Sequence, residues 1–207
     1  MGRLGLLLLL GGSVVWGQDV ESLHQFNGFF KPSDRLTLQS HLRVRTNGNM
    51  SSFFQIRGGP IAYFAVKPRL SLIGGYYYIG QSNRTHDDID EFHRAFGGVS
   101  FVAMKRSKFT LESRTLVERF VSTPSGNFSR GRQRLMLQKQ GKGFLPYFSV
   151  EGLAVAHRGT VRVGVGVLQQ MSPQLQMLMG YEMRQYTNGR VAHVLVSNLQ
   201  FVQQRPR

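Results

Sequence analysis

Between residues 35 and 45 the side chains alternate with a period of two. Leu36, Leu38, Ser40, Leu42 and Val44 fall on one face, and Arg35, Thr37, Gln39, His41, Arg43 and Arg45 on the other. A helix, repeating every 3.6 residues, would mix these sets; a strand with one apolar and one wet face keeps them apart. The alternation returns at Val161, Val163, Val165 and Val167, set against Arg162, Gly164, Gly166 and Leu168. It returns again at Met177, Met179, Tyr181 and Met183, set against Leu178, Gly180, Glu182 and Arg184. Glycines inside such a strand, Gly164 and Gly166 among them, signal curvature. Residues 70–80 and 92–104 are apolar on both faces, and Gly58-Gly59-Pro60 interrupts the third segment.

Turn chemistry divides these segments. Separators rich in Pro, Gly, Asn and Asp occupy residues 31–34, 46–50, 67–69, 81–90, 105–108, 122–129, 140–143, 157–160, 172–174 and 188–189. Asn188-Gly189 is a two-residue hairpin signal. Short and long separators alternate through most of the chain, the rhythm of tight periplasmic turns and longer external loops in a bacterial outer-membrane barrel. The segments also match the roughly 9–11 residues that a tilted strand needs to cross the hydrocarbon. They predict an all-β, up-and-down antiparallel transmembrane β-barrel of about ten to twelve strands. The segment count is eleven, whereas single-chain bacterial barrels use even numbers. That conflict predicts a partial strand within 18–30, or one boundary misplaced elsewhere.

The N-terminus carries an export signal. Arg3 supplies a positive start, residues 4–10 a short leucine-rich core, and Val15-Trp16-Gly17 a small residue at the cut. Residues 1–17 are expected to leave as a secretory leader, and 18–207 to form one barrel domain. No stretch reaches the ~20 apolar residues of a membrane-spanning helix. Cysteine is absent, which removes disulfides, thiolate metal sites and cysteine nucleophiles.

Lysine and arginine number 26 against 11 acidic residues, a net charge of +15. Such an excess favours anionic partners. The basic residues are spread over loops and one strand face, and the leader directs export, so nucleic acid is not expected as a partner. With the apolar face toward lipid, the other face puts charges in the lumen. Arg43 and Arg45 share that parity; so do Glu112, Arg114 and Glu118, with Leu116 an exception, and then Arg130, Arg132 and Arg134. Glu151, Glu182 and Arg184 follow. In a narrow lumen such charges must pair, glutamate against arginine on neighbouring strands. The first expectation is that this network fills and rigidifies the barrel; the second is a narrow, anion-favouring pore, because arginine exceeds glutamate. Two other readings stand beside these: a soluble periplasmic lipid-binding barrel with an apolar interior, and an outer-membrane lipid-modifying enzyme.

Catalytic chemistry is not legible. His86, Asp87, Asp88 and Asp90 read as a solvated loop rather than a metal site. Ser82 and Ser129, with His86 and His157, show no spacing that builds a nucleophile and its base. No enzyme activity, metal or cofactor is expected. Asn49, Asn83 and Asn127 begin N-x-S/T triplets, which in an exported bacterial chain reflect loop composition.

Several short motifs carry a family resemblance: Glu91-Phe92-His93-Arg94, Leu111-Glu112-Ser113-Arg114, Glu118-Arg119-Phe120, residues 130–135, Pro146-Tyr147-Phe148 with Glu151, and Gly180-Tyr181 with Arg184. Over residues 35–201 the chain resembles the DUF2490 family of uncharacterised bacterial outer-membrane barrels. The resemblance implies a barrel and an outer-membrane location, and no activity. Leu195, Leu199 and Phe201 share a face opposite Asn198 and Gln200, and a terminal strand ending in an aromatic resembles the signal read by the barrel-insertion machinery. That machinery, outer-membrane lipids and lipopolysaccharide are the expected partners.

Overall fold

The period-two segments become eleven strands: β1 (Val20–Phe30), β2 (Leu36–Asn47), β3 (Ser52–Lys67), β4 (Leu70–Ser82), β5 (Ile89–Arg106), β6 (Phe109–Val121), β7 (Phe128–Lys139), β8 (Phe144–Val155), β9 (Arg158–Gln170), β10 (Leu175–Tyr186) and β11 (Val191–Gln203). The computed structural model describes residues 20–47, 50–82, 88–106, 108–122, 126–156 and 158–203. The expected leader, Asn49, Asn83, His86, Asp87 and His157 lie outside the described residues.

Sequence neighbours pair antiparallel all the way round, and β1 closes on β11 to complete the barrel. That closing pair is parallel, in register from Val20 with His193 to Phe30 with Gln203. The all-β, up-and-down barrel of about ten to twelve strands is found as expected, with eleven; the even-number rule does not hold, and the one pair that is not antiparallel is the seam. With an odd number of alternating strands the first and last point the same way, so the seam can close only in parallel. β1 is a full strand of 11 residues rather than a partial one. Parallel pairing is weaker per residue than antiparallel, and side chains reinforce this seam. His24 Nδ1 lies 2.7 Å from Ser197 Oγ, and Asn27 Nδ2 donates to Asn198 Oδ1 at 2.6 Å. The two ends of the described chain lie at opposite ends of the barrel.

Two local expectations also change. Gly58-Gly59-Pro60 does not end a strand: pairing with β2 runs through it, while pairing with β4 skips from Gly58–Tyr78 to Ile61–Gly75. Pro60 has no N–H for that ladder. A Cβ at Gly59 would come 2.1 Å from the Tyr76 carbonyl oxygen, so only glycine permits the approach. At the β10–β11 turn, Gly189 N–H donates to Tyr186 C=O at 3.0 Å and Tyr186 N–H to Arg190 C=O at 2.9 Å. Gly189 has φ 83 and Asn188 is not among the positive-φ residues. The connection is a three-residue loop closing in a glycine bulge, not a two-residue turn.

Apolar side chains point outward on every strand. Phe26, Leu42, Phe64, Leu72, Val117, Leu135, Val161, Met179 and Leu195 are all exposed. The segments that read as apolar on both faces turn their second face into the lumen. Ile73, Tyr77 and Ile79 of β4 and Phe96 of β5 pack with Ile61, Leu116 and Phe120 in one interior cluster. Leu116 keeps the inward parity of Glu112, Arg114 and Glu118 and belongs to this cluster. Elsewhere the lumen is mostly polar, with Leu23, Leu153 and Val194 as buried exceptions. A soluble lipid-binding barrel requires the reverse arrangement of faces.

Inward-facing glycines make room for large side chains. A Cβ at Gly180 would meet the Tyr147 hydroxyl at 2.5 Å, and one at Gly166 would meet the Tyr147 ring at 2.6 Å. These two glycines are cross-strand partners. Together they form the bare floor on which Tyr147 lies, a more specific role than curvature.

Candidate functional site

The lumen divides into two chambers. One, of about 290 Å³, lies toward the β1–β2 turn and is lined by Gln39, Tyr63, Tyr147 and Gln200 among others. The second, of about 390 Å³, lies toward the β10–β11 turn and is lined by Arg45, Asn47, Arg158, Tyr186 and Arg190 among others. Arg43, Arg57, Arg94, Arg132 and Arg162 line both, so the chambers meet at a waist of arginines. Strand parity places them there: each occupies an inward position of β2, β3, β5, β7 or β9.

Three glutamates organise most of these charges. Glu118 is fully buried; Arg94 Nη2 donates to its Oε1, Arg130 reaches its Oε2 at 2.5 Å, and Arg132 lies at 3.7 Å. Arg132 also binds Glu151 at 2.5 Å, and Arg162 approaches the other oxygen of Glu151 at 3.2 Å. Arg132 thereby joins two carboxylates into one chain of charge. Across the seam Glu21 is held by Arg45 at 2.5 Å, Arg184 at 3.3 Å and Arg190 at 3.7 Å. Arg184 also binds Glu182 at 2.5 Å. Burying an ion is costly unless a partner and further hydrogen bonds compensate it, and these carboxylates meet that requirement.

All eleven charges singled out in the sequence face the lumen, but they do not form a single network. Glu118, Arg132 and Glu151 are joined; Arg45, Glu182 and Arg184 meet through Glu21. Glu112 stands apart, accepting from Ser100 Oγ at 2.9 Å with Arg134 at 4.0 Å. Arg114 has a buried Nε without a partner. Arg43 binds no carboxylate among the described residues; its Nη2 donates to Gln55 Oε1 at 2.7 Å. Nor does glutamate always face arginine across the ladder. Arg43 is opposite Arg57, Arg114 opposite Arg134, and Arg162 opposite Arg184.

Sequence reasoning missed Glu21, Arg57, Arg94 and Arg162 as members of the network. Glu21 has the same parity as Gln25 and Asn27, a signal available once residues 20–30 are taken as a full strand. Arg94 is the lone cation on the inward face of an otherwise aromatic stretch. Its guanidinium carbon lies 5.1 Å from the ring centroids of both Tyr77 and Phe96. A single arginine among inward aromatics announces a buried partner, here Glu118 on the next strand. Ser129 points outward and accepts from Arg119 Nη1 at 3.2 Å, a guanidinium that cannot act as a base. Among the described residues no group of three His, Cys, Asp or Glu comes together.

Fold and lumen define a closed, odd-stranded β-barrel, apolar outside and arginine-rich within. The chain belongs to the DUF2490 family, described as a protein of unknown function, whose family model matches residues 22–193. Comparison with curated proteins finds no match. Among solved structures it is similar to an anion-selective porin from Comamonas acidovorans, with 9% identity and a TM-score of 0.42, over 82% of this chain and 53% of that one. The chain thus spans about half the length of that porin.

Proposed function

We propose that the protein spans a bacterial outer membrane and offers small anions a narrow path through its lumen. The observation that carries this reading is the contrast between the two faces of one closed ladder. Outside, large apolar side chains are exposed on every strand, and the strands, of 11 to 18 residues, are long enough to cross the hydrocarbon. Several polar groups on that face bond to one another: Thr115 to Gln133, Gln133 to Ser113 at 2.8 Å, and Tyr78 to Glu91 at 2.6 Å. Such pairing suits hydrocarbon, where no water can serve a polar group. Inside, arginine outnumbers glutamate at the waist and in both chambers, so the field there attracts anions and repels cations.

Fractionation followed by a carbonate wash tests the location: the protein is expected in the pellet, and release as soluble protein would overturn it. Planar-bilayer recording under a salt gradient tests the path. Small conductance steps with an anion-favouring reversal potential are expected. Cation preference would refute the electrostatic argument. Silence would favour the second reading, a barrel braced by its ion pairs, which the salt-bridged waist also supports.

A further inference from the structure

Of the three arginine pairs that face each other across the ladder, only one lacks acidic compensation. Arg162 and Arg184 share Glu151, Glu182 and Glu21. Beside Arg114 and Arg134 stands Glu112, 4.0 Å from Arg134. Arg43 and Arg57 have no carboxylate partner among the described residues. Like charges directly opposite on one face repel, with their Cβ atoms only ~4.5–5.5 Å apart.

Both side chains are nonetheless held in place by neutral partners. Arg43 Nη2 is fixed by Gln55, whose own amide donates to Gln81 Oε1 at 2.9 Å. Arg57 directs Nε and Nη2 at His41 Nε2, 3.3 and 3.0 Å away, and its guanidinium lies 4.5 Å over the Tyr77 ring. His41 is anchored in turn, its Nδ1 2.7 Å from Asn27 Oδ1. Since Nε2 accepts from Arg57, Nδ1 carries the ring proton and the imidazole is neutral. The Nε of Arg43 is buried with no acceptor. Each guanidinium offers five N–H groups in a rigid fork, and the protein engages few of them here. Both residues line both chambers.

We propose that Arg43 and Arg57 together hold a small oxyanion at the waist of the lumen. Such an anion supplies the negative charge that this pair lacks and that the other two pairs draw from glutamate. A guanidinium fork matches the geometry of a phosphate or carboxylate. Gln55 and His41 hold the forks in position; they are positioning residues, not ligands. The inference rests on the anion-attracting lumen but not on conduction, since a bound oxyanion could equally brace a closed barrel.

The test is calorimetric titration of the full chain in neutral detergent with inorganic phosphate, at constant ionic strength set by chloride. Saturable binding is expected. Arg43→Gln and Arg57→Gln should each weaken it at least tenfold, while Arg158→Gln, farther toward the rim of the second chamber, should stay within about threefold, as remote charges are screened. Melting in the same micelles separates a binding role from a structural one. Without phosphate, Arg43→Gln should melt at or above the wild-type temperature, because it relieves a repulsive pair, and phosphate should no longer raise it. If a glutamine variant does not fold, Arg43→Lys keeps the charge, loses the fork and should still bind more weakly. Absence of saturable binding to the wild type, or binding indifferent to all three Arg43 and Arg57 variants, would overturn the site. Anion-selective conductance alongside failed binding would discard this site and leave the pore standing; binding without conductance would do the reverse.

Discussion

Two walls of one lumen solve the same packing problem by different means. The wall from β3 to β6 is filled by Ile61, Ile73, Tyr77, Ile79, Phe96, Leu116 and Phe120. The wall from β7 through the seam to β2 carries most of the arginines and glutamates, with Leu23, Leu153 and Val194 buried among them. The backbone is equally closed on both sides, so the ladder does not set the difference. An apolar wall fills space with non-directional contacts and tolerates modest reshaping; a charged wall is stable only when each carboxylate keeps its cations. The walls meet at Glu118, carried by β6 from within the apolar side and bound by Arg94 from that side and by Arg130 and Arg132 from the other.

Breaking that junction should have the largest effect. Glu118→Ala leaves the buried Arg94 without its carboxylate and takes one from the partly buried Arg130 and Arg132; Arg94 and Arg130 share the apolar wall's aromatics. A loss of about 3–5 kcal/mol follows from uncompensated buried charge. Heat-modifiable gel migration and thermal melting in detergent report it; a variant melting within a degree or two of wild type would show that the junction is not what joins the walls. Ile73→Ala tests the apolar wall alone. It removes a nearly fully buried side chain and opens a cavity, for a cost of about 3 kcal/mol. The effect should be insensitive to salt, unlike changes in the charged wall.

The glycine floor beneath Tyr147 comes next. Gly180→Ala places a methyl 2.5 Å from the Tyr147 hydroxyl and 2.7 Å from the Val165 carbonyl oxygen. Overpacking of this kind costs about 2 kcal/mol. Gly131→Ala is the control, since its added Cβ meets nothing within 4 Å. Equal melting of the two variants would show that Tyr147 moves aside freely and that the floor is not required.

The two walls also differ in how far the sequence reveals them. Alternation is readable when the faces differ in polarity, as on β2, β9 and β10; those strands and the inward direction of their charges were legible. On β4 and β5 both faces are apolar, one turned outward and the other toward the lumen, so period two vanishes although the strand remains. Segment counting found eleven strands, but a rule about even numbers opposed it. Nothing local in residues 20–30 announces a parallel partner at 193–203, because parallel register is fixed by closure of the ring. The pairing of charges was least legible. Parity shows that Arg43 and Arg57 point inward, but not that register sets one opposite the other. That depends on loop length and on the β-bulge between Arg45 and Thr46.

The smallest expected effect separates the exposed rim from the buried part of the charged wall. Glu21 is 1% exposed and holds three arginines, of which Arg190 is 54% exposed and Arg45 11%. A cation at the solvent edge is screened and gains little, typically less than about 1 kcal/mol. Arg190→Ala leaves the buried carboxylate with Arg45 and Arg184, so its compensation survives. Arg45→Ala instead removes the partner at 2.5 Å and also the cation lying 4.6 Å over the Phe54 ring. Melting of Arg190→Ala should stay near wild type, with the small difference vanishing at high salt, while Arg45→Ala loses clearly more and keeps its deficit in salt. If the two were equally destabilised, burial would not decide what an ion pair contributes here. The charged wall would then be a solvated lining rather than the counterpart of the apolar one.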